Sequence, residues 1–262
     1  MIETYIVIAI TVLTCSGGYM LHSLSNSGAV AAAIVGLAVY FGFGLEGLFL
    51  LGVFFTTSSL WSKYKSAAKA EVEEKLAKGA RRDWRQVFAN GGAAALISMI
   101  YIYNQDIMWL IGFSVCLASA NSDTWASEIG SLSKRKPIFI RTFQRIDKGT
   151  SGAISLLGTV AALLGSLLIA LLSTWLFQLE WVLFLIIFSF GFLGNIIDTL
   201  IGAFYQQVYI CEQCGIETEK TLHCQCPTRR IKGLPLVDND MVNFLSGLLS
   251  AVAAIMVIEL IK

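Results

Sequence analysis

Long apolar runs broken by short polar stretches dominate the chain. Eight runs can be drawn, near 4–21, 27–43, 45–61, 88–104, 107–124, 152–176, 181–206 and 241–261. Each is close to the roughly 20 apolar residues with which a helix crosses a bilayer. The pattern predicts an all-α, polytopic integral membrane helix bundle of about eight transmembrane helices, forming a single membrane domain over residues 1–262. Gly17-Gly18 and the stretch from Ser23 to Gly28 interrupt the first two runs. Seven spans, with a broken or re-entrant first pair, is therefore the alternative.

Composition agrees with this reading. Hydrophobic residues make up 56% of the chain and charged residues 14%, against about half and a quarter in a soluble domain. A net charge of +1 gives no reason to expect a nucleic-acid partner. No Lys or Arg precedes Lys63. A secretory signal has a positive segment ahead of its apolar core, so the first run reads as a retained span.

The distribution of charge is more informative than its sum. Three stretches, 62–86, 131–150 and 207–238, hold 18 of the 19 Lys and Arg residues, Lys262 being the exception. Two spans separate the first stretch from the second, and two more the second from the third, so all three fall on one side. The positive-inside rule makes that side cytoplasmic. It predicts a multi-pass protein of the cell membrane with both termini outside. Trp61, Tyr64, Ala68, Val72 and Leu76 recur at helical spacing in the first stretch. They predict an amphipathic helix, lying on the membrane surface or docked on the bundle.

Two groups of residues carry chemistry. The third stretch contains Cys211-x-x-Cys214 and then His223-Cys224-x-Cys226, a spacing suited to structural zinc. Cys211, Cys214, Cys224 and Cys226 are the expected ligands, with His223 as the alternative to Cys226. Cys15 and Cys116 lie in apolar runs and read as buried small residues. The other group is acidic. The fifth run ends in Asn121-Ser122-Asp123-Thr124 and continues to Glu128. The seventh contains Asn195, Asp198 and Thr199, and the eighth opens with Asp238-Asn239-Asp240 and Asn243. A carboxylate at bilayer depth costs about 2.5–3.5 kcal/mol or more and usually marks function. Asp238 and Asn239 could simply be helix N-caps.

Carboxylates and amides at one end of a bundle, facing Lys and Arg loops, suggest a metal–phosphate site in which Mg²⁺ bridges carboxylates and substrate phosphates. Arg145 and Lys148 precede Gly149-Thr150-Ser151-Gly152-Ala153. At the opening of the sixth span that stretch would seat phosphate on a helix N-terminus. The chain has no Walker-type glycine loop or Ser-His-Asp arrangement, and its only histidines are His22 and His223.

At these residues the sequence resembles the transmembrane protein 19 family, whose plant plastid member is phytyl-phosphate kinase. The carrying stretches are Asp123 to Gly130, Thr142-Phe143 through Lys148 to Ser155, Asp198 to Ala203 with Gln206, and Asp238 to Asn243. The resemblance implies Mg²⁺-dependent transfer of a phosphoryl group from a nucleoside triphosphate to an isoprenyl monophosphate. There is a fainter likeness to CTP-dependent lipid kinases and CDP-diacylglycerol synthases, which makes CTP a candidate. Lys148 to Gly152, however, lacks the Glu of their basic motif. On this reading Asp123 and Asp198 hold Mg²⁺ with Asp240 or Glu128 in support. Asn121, Asn195, Asn243, Thr124, Thr199, Thr150, Ser151 and Gly152 contact substrate, Arg145 and Lys148 bind nucleotide phosphates, and the prenyl tail lies between spans. Two other readings remain. One is a transporter or flippase for a small anion or lipid phosphate, with the Asn…Asp-Thr…Gly spans as repeat halves. The other is a non-catalytic scaffold whose cysteine loop binds a partner.

Overall fold

The computed structural model describes residues 2–261. Its helices are α1 (Ile2–Met20), α2 (Asn26–Lys63), α3 (Ala70–Lys75), α4 (Trp84–Tyr103), α5 (Ile107–Gly130), α6 (Leu156–Leu176), α7 (Trp181–Phe204) and α8 (Asn239–Ile261). Among the described residues five of them, α2, α4, α6, α7 and α8, are long and apolar enough to cross a membrane, against the eight spans expected: α1 has only a short apolar helix, the second and third runs share α2, and α5 is not among the five.

The second and third apolar runs form one element, α2, bent double. Gly44 sits within it at φ 65 and ψ −155, a left-handed φ that suits glycine. A straight helix of 38 residues would be about 57 Å long. Instead, a Cβ on Gly36 would lie 3.6 Å from Leu48 Cδ2. Arg82 also reaches both ends of α2. Its carbonyl accepts from Ser25 N at 2.9 Å, and its Nη1 donates to Ser59 Oγ at 2.8 Å. The two arms thus lie side by side, and each is about 27 Å long at 1.5 Å per residue.

Serines, alanines and glycines are set among the larger apolar side chains of the interior, such as Phe113, Leu117 and Ile169, and many large apolar side chains lie on the exterior. Ser98, Ser114, Ser166, Ser173, Ala162 and Ala170 are inaccessible, whereas Leu13, Val30, Phe41, Trp175, Val182 and Met256 are more than half exposed. In water this distribution would waste the hydrophobic effect. In lipid, small residues let helices approach closely and their hydroxyls bond across helices. At Gly194 of α7 a Cβ would overlap the Ser119 side chain of α5, so glycine sets that crossing distance. Helix α5 runs through the middle, touching α2, α4, α6, α7 and α8, and every residue from Leu110 to Ser122 is buried. Near the Gly44 bend, Phe43 stacks on Phe113 and Tyr101 at centroid distances of 4.3 and 4.4 Å.

All three basic stretches meet at the other end of the bundle. Lys69 Nζ bonds Glu128 of α5 (2.6 Å), Lys75 Nζ donates to Lys148 O (3.0 Å), and Thr218 Oγ1 donates to Lys75 O (2.8 Å). The first stretch is not one amphipathic helix. Tyr64 is extended and Lys65 is left-handed (φ 50), so α2 stops at Lys63, a 3-10 turn covers Ser66–Lys69, and only α3 is α-helical. Past α3 the chain is extended from Leu76 and forms a strap up to Asp83, the α4 N-cap, whose carboxylate accepts from Gln86 N in a capping box. The loops carry short sheets: β1 (Ile138–Phe139) pairs with β2 (Ala153–Ile154), and β3 (Val208–Ile210) lies between β4 (Glu217–Thr218) and β7 (Arg229–Lys232). A hairpin of β5 (Leu222–His223) and β6 (Cys226–Pro227) completes them.

Candidate functional site

A polar cavity of about 340 Å³ opens where these loops meet the helix ends. Its floor is built by three helices. Asp123 comes from α5, Asn195, Asp198 and Thr199 from α7, and Asn239, Asp240 and Asn243 from α8. The carboxyl groups of Asp123 and Asp198 lie within hydrogen-bonding reach of each other. Asn195 Nδ2 donates to Asp123 Oδ1 at 3.1 Å. Ser246 Oγ donates to Asp198 Oδ2 at 3.2 Å, and the Asn243 amide nitrogen donates to the same oxygen at 3.0 Å. Among the described residues, neither of these two carboxylates has a Lys or Arg ion-pair partner.

Three other acids in or beside the cavity are paired with cations, whereas Glu73 and Glu219, which also line it, have no Lys or Arg ion pair among the described residues. Glu128 pairs with Lys69 Nζ and accepts from Ser62 Oγ, both at 2.6 Å. Asp240 pairs with Lys78 Nζ at 2.5 Å and stands 3.8 Å from Arg85 Nε. Asp238 pairs with Arg85 at 2.7 Å and caps α8 by accepting from Met241 N at 3.0 Å. Asp123 and Asp198 thus share the cavity with two cations, Lys148 and Arg82, that form no ion pair among the described residues, Arg82 interacting with Glu128 only at longer range. Two neighbouring oxygen anions backed by amides form a donor set that suits a hard divalent cation.

Several expected site residues take other places. Asn121 is fully buried outside the cavity lining, where Nδ2 donates to Gly165 O (2.8 Å) and Oδ1 accepts from Thr57 (3.1 Å). It ties α5 to α6 and α2. Arg145 lies outside the cavity in an exposed bridge to Ile138. The phosphate-seat stretch is a turn and not a helix N-terminus. Gly149 and Gly152 have φ of 78 and 84, β2 follows, and α6 begins at Leu156 behind its Ser155 cap. Lys148, Thr150, Ser151 and Gly152 do line the cavity, but Ser151 donates to Gln206 Oε1 at 2.6 Å and Thr150 to Asp147 O at 3.0 Å. Thr124 and Thr199 also line it and donate to their own helices, at Ala120 O and Asn195 O.

The sequence pattern does not single out Lys69, Lys78, Arg82 and Glu219, which line the cavity, or Ser246, which donates to Asp198. Glu219 lines the cavity from the third basic stretch and accepts from Gln206 Nε2 at 2.7 Å and from Ala77 N at 3.3 Å. Burial pushes its carboxyl above the usual range. In sequence it is one of several loop glutamates, and no pattern marks it.

A second, apolar groove of about 580 Å³ runs between α2, α4 and α8. Ile34, Phe88, Gly92, Met99 and Phe244 line it, and Asp240 borders both this groove and the polar cavity.

The cysteines form a separate cluster. The ligand atoms of Cys211, Cys214, His223 and Cys224 all lie within 4.8 Å of one another. Cys226 is not among them and contacts Gln213 Oε1 at 3.7 Å, so His223 takes the place expected for Cys226. The β5–β6 turn, with Cys224 and Gln225 at positive φ, carries residue 226 onto the far strand. The Cys214 N–H, foremost, holds the Cys211 thiol down near 6, with further help from His223 and the Gln213 N–H. Side-chain hydrogen bonding with Cys214, followed by burial, pushes the Cys224 thiol up to about 11.

A bundle of long apolar helices with an apolar exterior, and with charged groups gathered at one end, defines an integral, multi-pass membrane protein. The chain belongs to the integral membrane protein family DUF92, which it matches over residues 9–251. It is 36% identical over 188 residues to an uncharacterised membrane protein of Methanocaldococcus jannaschii, covering 70% of this chain and 75% of the relative. It is 31% identical to Protein PGR of Arabidopsis thaliana, covering 93% and 92%. It is 25% identical to the chloroplastic Protein VTE6 of the same plant, covering 92% and 67%. No solved structure matches the chain.

Proposed function

We propose that the protein is a Mg²⁺-dependent membrane kinase of the transmembrane protein 19 type, acting on isoprenyl monophosphates. The reading rests on one observation: two carboxylates from different helices, Asp123 and Asp198, meet in a cavity without Lys or Arg ion pairs among the described residues, alongside Lys148 and Arg82, which likewise form none. A magnesium ion held there by Asp123 and Asp198, with Asn195 and Asn243 beside it, would supply charge neutralisation between the phosphates. Lys148 and Arg82 bind phosphate oxygens of the nucleoside triphosphate. CTP is a candidate for that nucleotide. Glu128 and Asp240, tied to Lys69 and Lys78, hold the segment that carries these lysines against α5 and α8.

The chemistry asks little more of the chain. A phosphate monoester has its second pKa near 6, so the acceptor carries a nucleophilic oxyanion at neutral pH. That oxygen forms a bond to the γ-phosphorus as the bond to the β-phosphate oxygen breaks. The nucleoside diphosphate departs, and no proton needs to move. Positioning and electrostatic complementarity account for the rate.

The prenyl tail occupies the groove between α2, α4 and α8. Its volume lies within the roughly 300–1,000 Å³ of small-molecule sites. The shared wall at Asp240 lets a phosphate head enter the cavity while the tail stays in an apolar environment. The basic end faces the cytoplasm, where nucleotide is available, in keeping with the positive-inside rule.

Purified protein in detergent, given labelled nucleotide, Mg²⁺ and geranylgeranyl or phytyl monophosphate, should form the corresponding diphosphate. Asp123→Asn and Asp198→Asn should each abolish product while retaining membrane insertion and a monodisperse elution profile. Turnover at the wild-type rate in both variants would remove the assignment.

A further inference from the structure

The cysteine loop lies beside the cavity and touches the strap that roofs it. We propose that Cys211, Cys214, Cys224 and His223 bind one Zn²⁺ ion, that Glu74 of α3 supports it through His223, and that the bound metal thereby fixes the strap over the polar cavity.

Four features carry the assignment. The ligand atoms already converge within 4.8 Å. Tetrahedral zinc with Zn–S near 2.3 Å separates its ligands by about 3.8 Å, so only a small contraction is needed. The Cys211–Cys214 turn has the form of a zinc knuckle: Gly215 N donates to Cys211 O at 2.8 Å with Gly215 at φ 75, and the N–H groups of Gln213 and Cys214 point at the Cys211 sulphur. His223 directs Nδ1 into the cluster, 3.5 Å from Cys214 Sγ and 3.3 Å from Cys224 Sγ. Its other nitrogen, Nε2, lies 3.5 Å from Glu74 Oε1. A carboxylate behind a metal-bound histidine fixes its tautomer and ring orientation and raises its basicity.

Here that carboxylate comes from another part of the chain. Glu74 belongs to α3, and the segment around it is gripped by the same loop. Lys75 O accepts from Thr218 Oγ1 and Glu219 N, both at 2.8 Å, and Ala77 N donates to Glu219 Oε2. Val72, Leu76 and Lys78 from this region line the cavity, and so does Glu219. Metal, His223, Glu74 and strap form one mechanical chain that ends at the cavity wall.

The test uses the full chain purified in detergent and needs no enzymatic activity. Elemental analysis should find about one zinc per chain, and Co²⁺ substitution should give the visible bands of a tetrahedral thiolate site. Cys226→Ser should keep the metal, whereas Cys224→Ser should lose it. Glu74→Gln should keep the metal but weaken it by about 10–100-fold in chelator competition. Removing zinc from the folded wild type should raise amide hydrogen exchange across residues 70–80. A chain that binds no zinc, or loses it equally in Cys226→Ser and Cys224→Ser, would overturn the site. Unchanged affinity in Glu74→Gln, or unchanged exchange in the strap, would overturn the coupling. Because the metal readouts need no turnover, failure of the kinase reading leaves this proposal standing, and the reverse also holds.

Discussion

Glu128→Gln isolates the clearest electrostatic dependence in the fold. Lys69 is only 3% exposed, and its ammonium has two partners, Glu128 Oε2 and Trp61 O, both at 2.6 Å. At an effective dielectric near 20, two unit charges at that distance attract by about 6 kcal/mol, most of which offsets the desolvation of the pair. Removing the anion alone leaves a buried cation with one carbonyl, a loss of about 3–5 kcal/mol. For chains of this size each kcal/mol moves Tm by about 2–4 °C, so a fall on the order of 10 °C is expected from circular dichroism melts in detergent. The double replacement Lys69→Met/Glu128→Leu removes both charges. It should return to within about 1 kcal/mol of wild type, since Ser62 keeps its bond to Ser58 O at 3.0 Å. A single variant as stable as wild type, or a double variant worse than Glu128→Gln, would refute the idea that this pair holds α5 to the roof.

Three further outcomes follow from the packing and charge. Gly194→Ala should destabilise the protein by about 1–3 kcal/mol, because the new methyl overlaps the Ser119 side chain. Ser119→Gly should relieve it, read as recovery of monodisperse protein. In the apolar groove, a Cβ on Gly92 would make ordinary contact with Phe244 (3.5 Å) and Phe88 (3.7 Å), so Gly92→Leu should fill the space without unfolding the bundle. It should raise KM for long prenyl monophosphates several-fold and leave that for a short-chain acceptor near wild type; an unchanged chain-length profile would place the tail elsewhere. Cysteines at Lys134 and Glu180, introduced singly, should react with an impermeant maleimide from opposite faces of the membrane, and labelling of both from one face would overturn the charge-based orientation.

Much of the architecture was legible in the chain because lipid imposes a strong constraint: every span must satisfy its own backbone, so each appears as a long apolar run. The grouping of 18 Lys and Arg residues into three stretches likewise anticipated that these loops share one end. Carboxylates in the fifth, seventh and eighth runs pointed to a common site, because charge at such depth has to be compensated or used. Side-chain directions were a different matter. Nothing local separates Asp123 and Asp198, which meet without cations, from Glu128 and Asp240, which are held by Lys69 and Lys78, since the lysines arrive from a loop far along the chain. Asn121 and Asn195 sit in similar sequence contexts, yet one ties helices together and the other reaches Asp123. The reversal within α2 depends on Gly44, a single residue in a glycine-rich run, and becomes visible only where Gly36 meets Leu48. Cys226 and His223 exchanged roles because a tight hairpin, set by two positive-φ residues, decides which donor faces inward. Sequence determined which segments are long and apolar enough to form helices of a membrane bundle and which loops carry charge, because those properties are summed over whole segments. Tertiary structure decided which individual carboxylates are paired with cations and which are not, because that depends on contacts between residues far apart in the chain.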